Sequence, residues 1–232
     1  MHILVINPNS TASMTDQIRA SARRCAFSGT KIEALNPSAT PASIEGYADE
    51  AMSVPAILAA IRDGEARGAQ AFVIACFDDP GLAAAREVAT GPVIGICQAS
   101  VQVARTIAAR FSIITTLPRS VPIIEDLVRE YGADHACRSV RSVNMPVLAL
   151  EQDPEIAEKR LLREIEAARV QDGAEAIVLG CAGMSDLCHR LQEKSGMPVI
   201  DGVSAAVKLA EAMIGGGYRT SKIGSYGYPR IK

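Results

Sequence analysis

Short apolar runs rich in β-branched residues recur along the chain, each closing on turn residues and leading into an alanine-rich stretch of helical period. His2–Ile6 closes on Asn7-Pro8-Asn9-Ser10, and the spacing then predicts a helix from about Ser13 to Cys25. Lys31–Leu35 follows, then a loop holding Pro37 and Pro41, then a helix from about Asp49 to Arg67. Phe72–Ala75 runs into Cys76, with a helix over Pro80–Ala89, and Val93–Ile96 leads into a helix over Ser100–Ala109. Strands alternating with helices predict βαβ units, a parallel sheet and right-handed crossovers.

The pattern then begins again. Phe111–Thr115 closes on Thr116-Leu117-Pro118-Arg119-Ser120 and precedes a helix over Pro122–Tyr131. A strand over Arg138–Asn144, a helix over Pro154–Val170 and a strand over Ile177–Gly180 come next. A helix over Ser185–Lys194, a strand at Val199–Ile200 and a helix over Ser204–Ile214 complete the second set. Gly68–Cys76 lies over Gly173–Cys181 at a constant offset of 105 residues (68 to 173), with five of nine positions identical. Leu82 and Leu187 keep the offset, and Pro92-Val93-Ile94-Gly95 answers Pro198-Val199-Ile200-Asp201 one residue later. Convergence of two alanine-rich βα units explains the apolar strands, but less readily a thiol at the same strand end in both. Duplication is the better account. The expected fold is α/β, with two pseudosymmetric open parallel-sheet lobes of the flavodoxin or Rossmann kind. Residues 1–98 with 208–232 form the first lobe and residues 99–207 the second. Ligands of open sheets sit beyond the carboxyl ends of the strands. An active site between the lobes would bring Cys76 and Cys181 to opposite walls.

Composition narrows the function. The 232 residues suffice for one large domain or two of about a hundred each. Hydrophobic residues at 48% and charged residues at 22% exclude disordered, collagen-like and coiled-coil chains. Lys plus Arg number 24 against 26 Asp plus Glu, and Trp is absent, so neither phosphate neutralisation nor base stacking is provided for. A small molecule, not nucleic acid, is the expected partner. No run approaches the roughly 18 apolar residues of a membrane span. Met1–Asn7 lacks a basic flank and reads as a strand, not a signal peptide. The six cysteines are therefore expected to be reduced, in the cytoplasm. No C-x-x-C occurs, and Cys181 with Cys188-His189 fits no common zinc spacing, so no metal is expected. Neither G-x-x-x-x-G-K-[ST] nor G-x-G-x-x-G occurs, so nothing calls for ATP or a nicotinamide, and no cofactor is expected.

A cysteine after a strand and before a helix sits near the positive end of the helix dipole, where its thiolate is favoured. Inverting a carbon with an acidic C–H needs a base on one face and an acid on the other, exchanging roles for the reverse direction. Two repeat-related thiols meet that demand evenly, which makes Cys76 and Cys181 the candidate catalytic residues. Redox pairing is the other chemical option, but sulfurs in bonding distance would leave no room for a substrate carbon. Cys25, Cys97, Cys137 and Cys188 read as small buried hydrophobes. Asp79 before Pro80 reads as a helix N-cap, while Asp78 stays open between structural and chemical roles. Phe77, Ala182 and Gly183 flank the cysteines, and backbone N–H groups there can approach a ligand oxygen. Asn7, Asn9, Ser10, Thr115, Thr116 and Ser120 end the first strand of each lobe. They serve a polar substrate or the turns themselves.

Several segments together resemble the aspartate/glutamate/hydantoin racemase superfamily, and within it the hydantoin racemases. They are Ile6-Asn7-Pro8-Asn9-Ser10, Ser43-Ile44-Glu45-Gly46, Ile74–Leu82, Thr115–Ser120, Val178–Met184 and Pro198–Gly202. Glutamate racemases carry Cys-Thr-His after the second-lobe strand. Here Cys181-Ala182-Gly183 stands instead, which argues against a free α-amino acid. The resemblance implies racemisation of 5-monosubstituted hydantoins without metal or cofactor, with Cys76 and Cys181 as the acid/base pair. Asn7, Ser10, Phe77, Asp78, Thr115, Thr116, Ala182 and Gly183 are the expected substrate-binding residues. It also implies a homo-oligomer, a tetramer or hexamer. Allantoin racemases look very similar, and these motifs do not separate the two substrates. A decarboxylase or isomerase of the same fold, or a non-catalytic two-lobed binding protein, are the rival readings.

Overall fold

The alternating pattern becomes two parallel four-stranded sheets in a computed structural model that describes residues 1–230. The first half supplies β1 (His2–Ile6), α1 (Ala12–Cys25), β2 (Lys31–Leu35), α2 (Tyr47–Ala66), β3 (Ala71–Ile74), α3 (Leu82–Val88), β4 (Val93–Gly95) and α4 (Ile96–Ile107). The second supplies β5 (Phe111–Thr115), α5 (Val121–Glu130), β6 (Cys137–Ser142), α6 (Ala149–Gln152), α7 (Pro154–Ala167), β7 (Ala176–Leu179), α8 (Cys188–Ser195), β8 (Val199–Asp201) and α9 (Gly202–Gly215). The sheet orders are β2-β1-β3-β4 and β6-β5-β7-β8, one order used twice. The repeat in the sequence is thus a repeat in topology.

The central strands are buried on both faces. Helices cover both faces of a parallel sheet, so β1, β3, β5 and β7 are apolar and buried almost throughout. At one edge of each sheet, β2 (KIEAL) and β6 (CRSVRS) mix in charged and polar residues and stay partly exposed, which discourages further pairing, whereas the opposite edges β4 and β8 are short and buried. Each sheet's last helix crosses to the other sheet: α4 packs on β7 and β8, while α9 packs on β3 and β4. One continuous core therefore joins Val5, Val73 and Ile94 of the first sheet to Ile113, Val178 and Ile200 of the second. Each such side chain contributes about 1.5–3 kcal/mol when fully buried. The sheets are held as one body.

Three departures from the sequence pattern occur around the strand ends. Helix α3 begins at Leu82, not Pro80, because Asp79 (φ 45°) and Gly81 (φ 65°) both take the left-handed conformation. Asp79 therefore does not cap its own helix. Its carboxylate accepts instead from the backbone N–H groups of Cys97 (3.1 Å) and Gln98 (2.9 Å), the second and third residues of α4. With that cap supplied from another loop, α4 starts directly after β4, four residues before the expected Ser100. In the second half, Ala182–Leu187 forms a 3-10 turn, and α8 proper starts only at Cys188. The short α6 gave no sequence signal, its four residues making barely more than one turn, too little for a periodicity to show.

Candidate active site

Cys76 lies two residues beyond the end of β3, and Cys181 two beyond the end of β7. The repeat thus delivers both thiols to the carboxyl edge of a central strand, and both line one cavity of about 30 Å³. Ala75 and Gly180, the residues before the two cysteines, line it as well. A side chain at Gly180 would press on Thr115, with its first carbon 3.0 Å from Thr115 Cβ. The cavity has room for about two waters.

The same backbone device serves both sulfurs. The N–H two residues on, Asp78 for Cys76 and Gly183 for Cys181, donates to the thiol and favours its ionised form. Burial opposes this and dominates. It pushes Cys181 up to about 12 and Cys76 well above the ordinary thiol range, with the Asp78 charge acting in the same direction on both. The helix-dipole expectation holds only for Cys181, which is the N-cap of the 3-10 turn. Cys76 is followed by an irregular turn, and α3 begins six residues later, too far for its dipole to act.

Asp78 lines the cavity and is buried, and no protein hydrogen bond supports its carboxylate. Desolvation, followed by the charges of Glu50 and Asp79, raises it to about 7. Among the described residues no Lys or Arg lines the cavity. The lining is therefore neutral to acidic, with apolar contributions from Met14, Ile44, Phe77 and Val147.

Of the residues expected from sequence, Cys76, Cys181, Phe77, Asp78, Thr115, Thr116 and Ala182 line the cavity. Thr115 Oγ1 donates to the Gly180 carbonyl (3.1 Å), so only its lone pairs face a ligand. Asn7, Ser10 and Gly183 do not line it. Asn7 is buried behind, donating to Asn9 Oδ1 (2.9 Å) and Thr15 Oγ1 (3.0 Å), and thereby orients Asn9, which does reach the cavity. Ser10 holds its loop through the Pro41 carbonyl (2.9 Å) and Asn36 (3.1 Å). Gly183 acts only through its N–H on Cys181. Met14 and Val147 had no sequence signal, since each reads as an ordinary core residue. Ile44 lay inside a motif but was not singled out.

Contacts between the halves lie beside Val147 and Ile44 of the lining. The backbone N–H of Val147 donates to Glu45 Oε1 (2.9 Å), and Ser13 donates to Glu151 Oε2 (2.9 Å). The second oxygen of Glu151 is enclosed without a partner. Arg119 packs so closely on Gly46 that a side chain there would meet its guanidinium at 2.8 Å.

Residues 3–210 match the family described as Asp/Glu/Hydantoin racemase. The chain belongs to that family. A hydantoin racemase of Rhizobium meliloti is 69% identical over 232 residues, covering all of this chain and 96% of its own. A hydantoin racemase of Pseudomonas sp. strain NS671 is 48% identical, covering all of this chain and 93% of its own. Among solved structures, an allantoin racemase from Klebsiella pneumoniae superposes with a TM-score of 0.98 at 45% identity, over all of this chain and 95% of that one. Two thiols at matching strand ends are thus set in the Asp/Glu/hydantoin racemase fold.

Proposed function

We propose that this racemase interconverts the enantiomers of 5-monosubstituted hydantoins, with Cys76 and Cys181 exchanging the proton at C5. Family membership makes the chain a racemase; the substrate and the two-thiol mechanism are our reading of the site. The observation that carries it is that both thiols line one small cavity with no cationic side chain among the described residues of its wall. A free amino acid presents a carboxylate, and an uncompensated anion beside Asp78 would be costly to bury. A hydantoin ring is neutral and offers N–H donors, which the unpartnered Asp78 carboxylate can accept.

One thiolate removes the C5 proton, and the electron pair passes into the adjacent carbonyl as an enolate. The other thiol returns a proton on the opposite face, leaving its sulfur as the thiolate for the reverse direction. Thr116 and Ser120 line the cavity, and their hydroxyls would donate to the ring oxygens. Met14, Ile44 and Val147 supply an apolar wall for the C5 substituent. The chemistry asks nothing of a metal, and among the described residues no group of three or more side chains is placed to hold one. Among the same residues no helix is long and apolar enough to cross a membrane. We also propose a homo-oligomeric state and lobes of residues 1–98 with 208–232 and 99–207.

Allantoin is the second reading, favoured by the near-identical backbone of the Klebsiella allantoin racemase. Its ureido substituent would have to sit against the apolar wall. The deciding experiment follows optical rotation and C5 deuteration in deuterated buffer, using a pure enantiomer of 5-isopropylhydantoin and of allantoin. Rotation decaying to zero with one deuterium entering C5 supports racemisation. Deuteration without loss of rotation overturns it, and faster turnover of allantoin reassigns the substrate.

A further inference from the structure

The helix that follows the last strand of each sheet is capped by a carboxylate, but the two carboxylates come from different places. In the second half Asp201 is itself the N-cap of α9 and accepts from Val203 and Ser204, both at 3.0 Å. In the first half the N-cap position is Gly95, and the carboxylate is that of Asp79, on the N–H groups of Cys97 and Gln98. Asp79 is three residues after Cys76, and its own N–H donates to the Cys76 carbonyl (3.1 Å). The Cys76 turn is thus tied to the start of α4 through one side chain.

That side chain has a third partner. Tyr131, at the C-terminal end of α5 in the other half, donates its hydroxyl to Asp79 Oδ2 at 2.7 Å. Asp79 is buried and holds a left-handed backbone (φ 45°), a conformation that persists in a non-glycine residue only when its surroundings enforce it. At the corresponding place beside Asp201 and Ser204 stands Cys25, which carries no phenol. Helix α5 begins directly after Ser120, one of the residues lining the cavity. The Tyr131–Asp79 hydrogen bond therefore ties the far end of the helix that begins at Ser120 to the turn that carries the first half's thiol.

We propose that Tyr131 is a positioning residue for Cys76 alone: through Asp79 it holds that thiol in register with the opposite wall, while Cys181 is set independently of it. The proposal rests on the two-thiol reading above. It gives Tyr131→Phe an asymmetric effect, which a general loss of stability would not.

The test places Tyr131→Phe in two backgrounds, Cys181→Ser and Cys76→Ser, so that a single thiol remains in each. Exchange of the C5 proton of each enantiomer of 5-isopropylhydantoin is followed by proton NMR in deuterated buffer. Where Cys76 remains, exchange is expected to fall about ten- to a hundredfold, the usual consequence of ångström-scale misplacement. Where Cys181 remains, it should stay within about twofold. Equal loss in both backgrounds, or loss in neither, overturns the proposal. If the single-thiol proteins do not exchange, alkylation of the otherwise unmodified enzyme by iodoacetamide, resolved by peptide, reads the same geometry. Tyr131→Phe should then change the rate at Cys76 several-fold and leave Cys181 as it was, and an unchanged Cys76 rate overturns the proposal. Full racemisation by Cys76→Ala with Tyr131 intact would instead reject the two-thiol reading.

Discussion

The carboxylate of Asp79 fills the space in which a side chain at Gly95 would stand: a methyl group there would lie 2.3 Å from the carboxyl carbon. Gly95 is needed here for close approach, not for backbone freedom, since its φ of −84° is open to any residue. Gly95→Ala is expected to destabilise the fold by about 1–3 kcal/mol, because either the α4 cap or the Asp79 turn must move. Asp201→Ala, which removes the cap of α9, should cost about 1 kcal/mol. Urea unfolding midpoints measure both, and a Gly95→Ala protein as stable as the parent would show that the turn yields without cost.

Thiol reactivity should follow burial and not the helix dipole. Burial raises Cys181 to about 12 and pushes Cys76 well above the ordinary thiol range, so thiolate is scarce at neutral pH in the free enzyme. Once formed it is a strong base, suited to a weak carbon acid. Inactivation by iodoacetamide should therefore be slow at pH 7 and rise steadily to pH 10 with no plateau between. A plateau below pH 8 would mean that at least one thiol is already ionised, contrary to the desolvation argument.

A proton on Asp78 links stability to pH in an unusual direction. The ordinary carboxyl releases its proton near pH 4, whereas folded Asp78 and Asp79 hold theirs to about 7. Between these values the folded state binds more protons than the unfolded, so raising the pH disfavours folding. Below pH 4 both states are protonated and above 7 both are ionised, so the loss is confined to that window. The lowered carboxylates Glu33, Asp172 and Glu211 act at the acid side of it and do not cancel it. Unfolding midpoints should fall from pH 4.5 to 7.5, and Asp78→Asn should reduce that fall. An equal fall in the variant would place the proton elsewhere.

The cysteine pair was legible in the sequence because a duplicated βα unit carries its register with it: the same offset that aligns Val73 with Val178 aligns the two thiols. The architecture followed from the same alternation. What stayed hidden depends on contacts between distant segments. Asp79 before Pro80 has every local mark of an N-cap, yet its carboxylate serves a helix whose capped residues are 18 and 19 positions on. Asn7 and Asn9 are alike in composition and position. Only packing decides that Asn9 faces the cavity and Asn7 supports it from behind. Met14 and Val147 reach the site from α1 and from the loop before α6, and no periodicity distinguishes such residues from the core.

The proposed two-thiol mechanism also makes a stereochemical prediction. Both line one cavity from different sheets, and the proposed mechanism requires each to address one face of a planar enolate. A substrate enantiomer presents its C5–H to one of them. Replacing a thiol by a hydroxyl leaves a group far too weak as an acid or base to complete turnover at neutral pH. Cys76→Ser and Cys181→Ser should both lose racemisation, as should the two alanine variants, whereas Cys137→Ala should change stability at most. The remaining thiolate can still remove the proton presented to it and return deuterium to the same face. Each serine variant should therefore exchange the C5 proton of one enantiomer with retention, and the two variants should act on opposite enantiomers. Proton NMR of each pure enantiomer in deuterated buffer follows this directly. Exchange of the same enantiomer by both variants would place the two sulfurs on one face of the ring, and the two-base reaction drawn here would then be impossible.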